Sequence, residues 1–134
     1  MANQAEPGMS GATYDSGALI AADRDDRRMW QLHRRILERG QIPLVPAGVL
    51  GQTWRGGPQS RLSQLLAGCR VEELTEQIGR RAGALLGATS RIDVIDASVV
   101  VGVLTRSDAV FTSDRSDLEA LATGAPGRLN VVDV

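Results

Sequence analysis

Four aspartates interrupt or close apolar stretches of this sequence, and their side chains are of the type that holds divalent cations. Asp15 follows a short apolar stretch, Asp96 lies within a long aliphatic run, and Asp114 closes a third run. Asp93 precedes Asp96 by about one helical turn. Burying a carboxylate is costly, and gathered carboxylates repel one another unless a cation neutralises them. Because Mg²⁺ and Mn²⁺ prefer hard oxygen ligands, the pattern predicts a divalent-metal site built from aspartates.

Segments of strand character alternate with segments of helical character along the chain. The predicted strands are 9–14, 42–45, 69–74, 109–112 and 129–132. The predicted helices are 18–22, 27–39, 47–55, 59–67, 75–86 and 116–122. The apolar segment 91–104 could be a long strand, given its β-branched residues, but its length and its apolar character on all sides favour a buried helix, although periodicity alone does not decide. The alternation predicts an α/β fold with a parallel sheet covered on both faces. Asp15 and Asp114 follow strands at the carboxyl edge, where such folds bind ligands.

Several of these acids also have a purely structural interpretation, but Asp96, deep in an aliphatic segment, does not, so a ligand role is favoured for it. Asp15 could be a turn or N-cap residue, and Asp93 a first-turn residue favoured by the helix dipole. Asp114 could precede a helix in which Ser116 is the N-cap of a capping box and Asp117 lies in the first turn. Hydroxyl side chains stand beside two of the acids, namely Ser16, Thr112 and Ser113. The joint placement of acids and hydroxyls favours the functional interpretation.

Composition predicts one globular domain. The chain has 134 residues, of which 43% are hydrophobic, and no apolar run is long enough to cross a membrane. Residues 1–8 have no signal-peptide pattern and are predicted to be a disordered lead-in to a single domain, 9–134. Cys69 is the sole cysteine, so no internal disulfide forms and a reducing cytoplasmic location is expected.

The charged residues exclude several classes of protein. Fifteen basic residues, all arginine, oppose 16 acidic ones, so the net charge of −1 gives no general attraction to nucleic acid. The absence of lysine argues against a phosphate-loop protein, Schiff-base chemistry and a receiver domain phosphorylated on aspartate. Arginine instead offers planar forks for phosphate groups. His33 falls on the apolar face of a helix and is interpreted as a packed residue, which leaves Cys69 without a credible catalytic base.

Three acidic blocks of this sequence resemble those of PIN domains. The blocks are Tyr14-Asp15-Ser16-Gly17-Ala18-Leu19-Ile20, Asp93-Val94-Ile95-Asp96-Ala97 and Thr112-Ser113-Asp114-Arg115-Ser116-Asp117-Leu118. The resemblance is greatest to the VapC-type toxins of bacterial toxin–antitoxin pairs, in a form common in actinobacteria. It covers nearly the whole chain after the lead-in and includes Val45-Pro46 and Trp54-Arg55 at matching places.

The resemblance implies a three-layer α/β/α sandwich with a central, mostly parallel sheet, and the activity of an endoribonuclease that depends on Mg²⁺ or Mn²⁺. By position, Asp15, Asp96 and Asp114 match the acidic metal ligands of the family, and Asp117 matches a further acid. Thr112 or Ser113 matches its site hydroxyl. The family also implies RNA as substrate and a cognate antitoxin that inserts a basic segment into the acidic groove.

One position departs from the family. A glutamate is usual in the helix after the second strand, where this chain has Gln52, and Asp93 is expected to supply the missing negative charge. Asp93 is therefore included among the catalytic acids, and Arg55 is the candidate for contact with the RNA backbone. The alternative interpretation is a catalytically weakened PIN-like module whose acidic pocket binds a basic partner segment.

A homodimer is also implied by the resemblance. Trp30 and Leu32, or Leu62 and Leu65, are candidates for its apolar surface, although a helical apolar stripe is equally a core.

Overall fold

The centre of the protein is a five-stranded sheet in which every strand is parallel to its neighbours, in the order β3-β2-β1-β4-β5. The computed structural model describes residues 11–134, so the predicted lead-in 1–8 and the first two positions of the first predicted strand lie outside it. The strands are β1 (Ala12–Tyr14), β2 (Leu44–Pro46), β3 (Arg70–Glu72), β4 (Ala109–Thr112) and β5 (Asn130–Asp133). The predicted fold class is confirmed.

Seven helices accompany the sheet in the described part of the chain. They are α1 (Ser16–Asp23), α2 (Arg27–Glu38), α3 (Ala47–Thr53), α4 (Ser60–Ala67), α5 (Glu76–Thr89), α6 (Val94–Arg106) and α7 (Arg115–Ala122). Successive residues of a strand point to opposite faces of its sheet. Tyr14 contacts His33 of α2, whereas Thr13 contacts Arg106 of α6, so helices cover both faces of β1.

The order of the strands determines where a ligand can bind. From β1 the chain winds outward through β2 to β3, then crosses back and places β4 on the other side of β1. In open parallel sheets this reversal leaves a crevice at the carboxyl ends of the two strands concerned. Tyr14 is in register with Phe111, and the Asp15 amide donates to the Phe111 carbonyl at 3.0 Å. The residues that follow β1 and β4 therefore meet at this crevice.

The core is aliphatic and includes residues that were candidates for a dimer surface. Leu62 and Leu65 of α4 are fully buried, so they belong to the core. Trp30 and Leu32 of α2 are partly buried and pack against the same core. In residues 11–134, no helix combines the length and the apolar character that crossing a membrane requires.

The buried helix favoured for segment 91–104 is confirmed, with α6 spanning Val94–Arg106. Between Ala97 and Val103 all its residues except the partly buried Val101 are buried, as expected for a helix packed between a sheet and other helices. The helix begins at Val94, and the Asp93 carboxylate accepts a hydrogen bond from the Asp96 amide at 3.0 Å. Asp93 is thus the N-cap and lies outside the helix instead of in its first turn.

The capping box predicted for α7 is wrong. The helix begins at Arg115 instead of after Ser116, and Asp114 holds the N-cap position without a side-chain capping bond. Arg115 forms an ion pair at 3.3 Å with Glu119, the residue expected to complete the box. Arg115, the first residue of the helix, also pairs with Asp133 of β5 at 2.8 Å, a contact across the fold that a local pattern does not contain.

Candidate active site

Asp15 lies at the centre of the crevice and is 1% exposed. Its Oδ2 atom accepts a hydrogen bond of 2.8 Å from the Thr112 hydroxyl, while Oδ1 is buried without a hydrogen-bond partner. Burial raises the pKa of Asp15, and the carboxylates of Asp114 and Asp93 add to this, although Thr112 and the Ser16 backbone act in the opposite direction. A buried carboxylate oxygen without a donor is costly, so this atom is a candidate cation ligand.

The Thr112 hydroxyl connects two of the acidic residues. It donates to Asp15 and accepts a hydrogen bond of 2.9 Å from the Asp114 amide. One fully buried side chain at the end of β4 thereby fixes both the Asp15 carboxylate and the backbone that carries Asp114. Of the two predicted hydroxyl candidates, Thr112 makes these contacts, whereas Ser113 is exposed.

Asp96 has a carboxylate whose pKa is strongly raised. It is half-buried in the first turn of α6, and burial raises its pKa from 3.8 to about 7. The negative charges of Asp93, Asp15, Asp114 and Asp117 contribute in that order. Such interactions require proximity, so the fold brings all five predicted acids into one electrostatic neighbourhood. A strongly perturbed group in a cleft is a candidate functional residue.

A cation site can be assessed from these carboxylates directly. In the part of the chain that the structure describes, no three His, Cys, Asp or Glu side chains are gathered closely enough to hold a metal ion. Mutual repulsion opposes closer approach of uncompensated carboxylates. These carboxylates nevertheless suit a hard cation. A bound cation would give the buried Oδ1 atom of Asp15 a partner and would stabilise the ionised form of Asp96.

The N-terminus of α1 approaches the end of β4 very closely at Gly17. A Cβ atom on Gly17 would lie 2.7 Å from the Ser113 amide nitrogen and 2.8 Å from the Ser113 Cβ. Both distances are too short for a real side chain, so glycine is needed at this position. Ser16, the residue before it, begins α1, and its backbone hydrogen bond lowers the pKa of Asp15.

The two candidates on and after α3 have different surroundings. Gln52 is exposed and follows Gly48 by one helical turn, on the face where a side chain at Gly48 would overlap Ile95. This face therefore points toward the start of α6. The Arg55 guanidinium donates to the carbonyls of Gly51, Gln52 and Trp54, at the end of α3. Its role in RNA contact remains a prediction.

One basic residue close to the acids was not singled out in the sequence. Arg91 lines a pocket of about 580 Å³ together with Asp93, Asp96 and Asp117. Its Nη1 atom lies 3.4 Å from Asp117 Oδ1. The only sequence signal was its position two residues before Asp93, which does not distinguish it from the other arginines.

A second buried acid, Asp108, has a structural role. It accepts hydrogen bonds from Thr13 at 2.7 Å and from Arg106 at 2.9 Å, and Arg106 also pairs with Glu72. Thr13 lies in the middle of β1, and Asp108 directly precedes β4. Because its charge is compensated, Asp108 needs no cation.

The all-parallel sheet and the acidic carboxyl edge define the fold as PIN-like. No protein-family model matches the sequence, and none of the curated proteins compared with it is similar. Solved structures do match. A chain of a toxin–antitoxin complex from Klebsiella pneumoniae is 19% identical with a TM-score of 0.66, over 91% of this chain and 96% of that one.

Two further solved structures match over comparable lengths. A chain of VapBC2 from Rickettsia felis, solved bound to a DNA fragment from its promoter, is 11% identical with a TM-score of 0.70, over 92% of this chain and 98% of that one. A chain of FitAB bound to an IR36 DNA fragment is 16% identical with a TM-score of 0.63, over 91% and 94%. The resemblance to PIN domains of the VapC type is thereby confirmed for the fold, and the actinobacterial form stays a prediction.

Proposed function

We propose that this protein is a divalent-metal-dependent endoribonuclease that acts as the toxin of a toxin–antitoxin pair. The observation that carries the proposal is the unpartnered Oδ1 atom of Asp15, buried at the carboxyl ends of the paired strands β1 and β4. The electrostatic coupling of Asp15 to Asp93 and Asp114 supports it. Nuclease activity, metal dependence and RNA as substrate are all parts of the proposal.

In this proposal, Asp15, Asp96 and Asp114 hold Mg²⁺ or Mn²⁺, and Asp117 is an additional acid at the pocket. When bound, the ion supplies positive charge that polarises a phosphate oxygen and acidifies water. Because burial and the neighbouring acids raise the pKa of Asp96 to about 7, its protonated and ionised forms are both populated near neutral pH, and a positive charge facing the carboxylate would favour the ionised form.

The remaining side chains keep these carboxylates in place. The Thr112 hydroxyl occupies Asp15 Oδ2 and leaves Oδ1 for the cation. One oxygen of Asp93 caps α6, which fixes the turn that carries Asp96, and the negative charge of Asp93 substitutes for the glutamate that Gln52 replaces. No cysteine or histidine takes part, because burial raises the pKa of Cys69 to about 12 and His33 is hydrogen-bonded to Tyr14.

A cognate antitoxin is the proposed protein partner. The three similar structures are described as a toxin–antitoxin complex, VapBC2 on promoter DNA and FitAB on DNA. A basic segment of such a partner would find its counter-charges in the acidic crevice. A homodimer is proposed with it, because the family that the acidic blocks resemble implies one. A cytoplasmic location is proposed as well, because the sole cysteine, Cys69, fits a reducing compartment.

The alternative is a PIN-like interaction module without effective catalysis. The carboxylates are not close enough together, as they stand, to hold an ion, and Gln52 lacks the charge of the family's glutamate. Asp117 already pairs with the guanidinium of Arg91, so the pocket can receive an arginine. Calorimetry with Mn²⁺ distinguishes the two functions, because the absence of binding heat at millimolar metal favours the module.

The proposal is tested by replacing Asp96 with Asn, which removes one negative charge and keeps the shape of the side chain. We expect cleavage of single-stranded RNA with added Mn²⁺ to fall at least about a hundredfold, since ion-based stabilisation of a reacting phosphate is worth several kcal/mol. Asp25→Asn is the matched control. Asp25 is exposed, and its backbone is in the left-handed region with φ 59°, a conformation that asparagine tolerates.

Undiminished cleavage by the Asp96→Asn variant would contradict the proposed mechanism, provided that the variant is folded. Equal losses of cleavage in Asp96→Asn and Asp25→Asn would show that the loss does not depend on which aspartate is replaced. The assay would then carry no information about the site.

A further inference from the structure

Arg91 is placed by the fold beside the acidic site. Ser90 ends α5 in a left-handed conformation, and the Arg91 amide donates to the Leu86 carbonyl at 3.2 Å. This backbone arrangement closes the helix and fixes the position from which the Arg91 side chain extends. The guanidinium thus reaches the pocket of about 580 Å³ that is also lined by Asp93 and Asp96. A cavity of this size holds a group much larger than a metal ion.

The contact that Arg91 makes there is weak and leaves most of its donors available. Its one side-chain contact in the described residues is a single 3.4 Å approach to Asp117, and both side chains are about half exposed. An exposed, single-point ion pair of this kind contributes little to stability. Arginine has five N–H donors in a planar fork, so a ligand with paired acceptor oxygens would bind better than the present contact.

The other arginines around the carboxyl edge are occupied. Arg55 donates to three carbonyls at the end of α3. Arg115, although adjacent to Asp114, forms a two-pronged interaction with Asp133, with distances of 2.8 to 3.1 Å, and also contacts Glu119. The donors of these two guanidinium groups therefore have several partners already, in contrast to those of Arg91.

We propose that Arg91 is the substrate-binding arginine of this site and that it contacts an RNA phosphate next to the bond that is cut. This inference rests on the proposed function and names a residue that the acidic motif does not contain. The phosphate oxygens replace Asp117 as partners of the guanidinium. The guanidinium then places one positive charge next to the RNA backbone, in a pocket whose other charged residues are acidic. The Asp117 carboxylate loses its ion-pair partner in the process.

The test measures binding of a labelled single-stranded RNA oligonucleotide by fluorescence anisotropy over a series of salt concentrations. Ca²⁺, which also prefers oxygen ligands, replaces Mn²⁺ so that the probe is not consumed. Arg91→Gln is compared with Arg80→Gln, because Arg80 is an exposed arginine of α5 in an ion pair with Glu76 and does not line the pocket. Arg91→Lys keeps the charge without the fork and shows whether geometry matters.

We expect Arg91→Gln to weaken RNA binding about tenfold, the loss typical of one charge-assisted contact. The slope of log affinity against log salt should become shallower by about 0.7, the value for one phosphate contact on a single strand. Arg91→Lys should lie between wild type and Arg91→Gln, and Arg80→Gln should match wild type. With Mn²⁺, the KM of Arg91→Gln should rise while kcat stays within about threefold of wild type.

The outcomes separate this inference from the function on which it rests. Equal affinity and salt slope in Arg91→Gln and Arg80→Gln overturn the role of Arg91 and leave the nuclease standing. Loss of binding in Arg91→Gln, together with undiminished cleavage by Asp96→Asn, supports Arg91 and overturns the metal mechanism. Absence of RNA binding by the wild-type protein overturns both. Thermal melts identify a misfolded variant, and Arg91→Lys then supplies the comparison.

Discussion

Replacing Asp96 with Asn should make the metal-free protein more stable at alkaline pH. At alkaline pH the Asp96 carboxylate is ionised, although its burial and the charges of neighbouring acids both disfavour the charged form. These two effects raise its pKa from 3.8 to about 7. The folded protein binds this proton more tightly than the unfolded chain does. The free energy of unfolding should therefore fall as pH rises from about 4 to about 7 and level off above that range.

The size of the effect follows from the same pKa values. The difference between 3.8 and about 7 corresponds to an upper limit of about 4 kcal/mol. Because Asp96 is only half-buried, water screens its charge and reduces the gain to roughly 1 to 2 kcal/mol. The neutral asparagine has no proton to lose, so the variant should lack this part of the pH dependence.

The assay is urea unfolding of both proteins at several pH values from about 5 to about 8, first with a chelator and then with Mn²⁺. At a metal concentration ten times the dissociation constant, Mn²⁺ should stabilise the wild-type protein by about 1.4 kcal/mol. It should stabilise Asp96→Asn much less. Asp25→Asn, at an exposed position, should change the free energy of unfolding by less than about 0.5 kcal/mol.

Two results would refute this reasoning. If the variant were less stable than wild type at pH 8, Asp96 would make favourable contacts that outweigh the repulsion. If Mn²⁺ stabilised both proteins equally, the metal would bind away from Asp96.

Two further predictions concern the construction of the site. Gly17→Ala should destabilise the protein by about 1 to 3 kcal/mol and reduce cleavage, because the added methyl group meets the backbone and side chain of Ser113. Gly83→Ala, at a helical position with open space, should instead stabilise it by up to about 1 kcal/mol, and equal effects of the two changes would contradict the steric argument. Gln52→Glu should raise the affinity for Mn²⁺ by calorimetry and increase cleavage, since a carboxylate coordinates hard cations better than an amide does. Unchanged affinity would place Gln52 outside the reach of the metal.

The pattern of the sequence was sufficient for the architecture. Alternating strand and helix signals predicted a parallel sheet covered on both faces, and β4 was located at its observed bounds, Ala109–Thr112. Local signals were less reliable at the ends of elements. The start of α7 was placed after Ser116, because the local motif for a cap does not include the ion pair between Arg115 and Asp133 on β5. For 91–104, apolar residues on all sides removed the periodicity, but the length of the segment still favoured the buried helix that the structure shows.

The sequence by itself determined which acids and hydroxyls were available and that Asp15 and Asp114 would follow strands. Tertiary structure decided that β4 pairs with β1, which brings the Thr112 hydroxyl to Asp15 across 97 positions of the chain. It also decided that Arg91 reaches the acidic pocket whereas Arg55 turns back onto α3. The physical reason is that side-chain chemistry and local propensity depend only on a residue and its neighbours in the sequence. Electrostatic neighbours and burial are set by strand pairing and helix packing between distant segments.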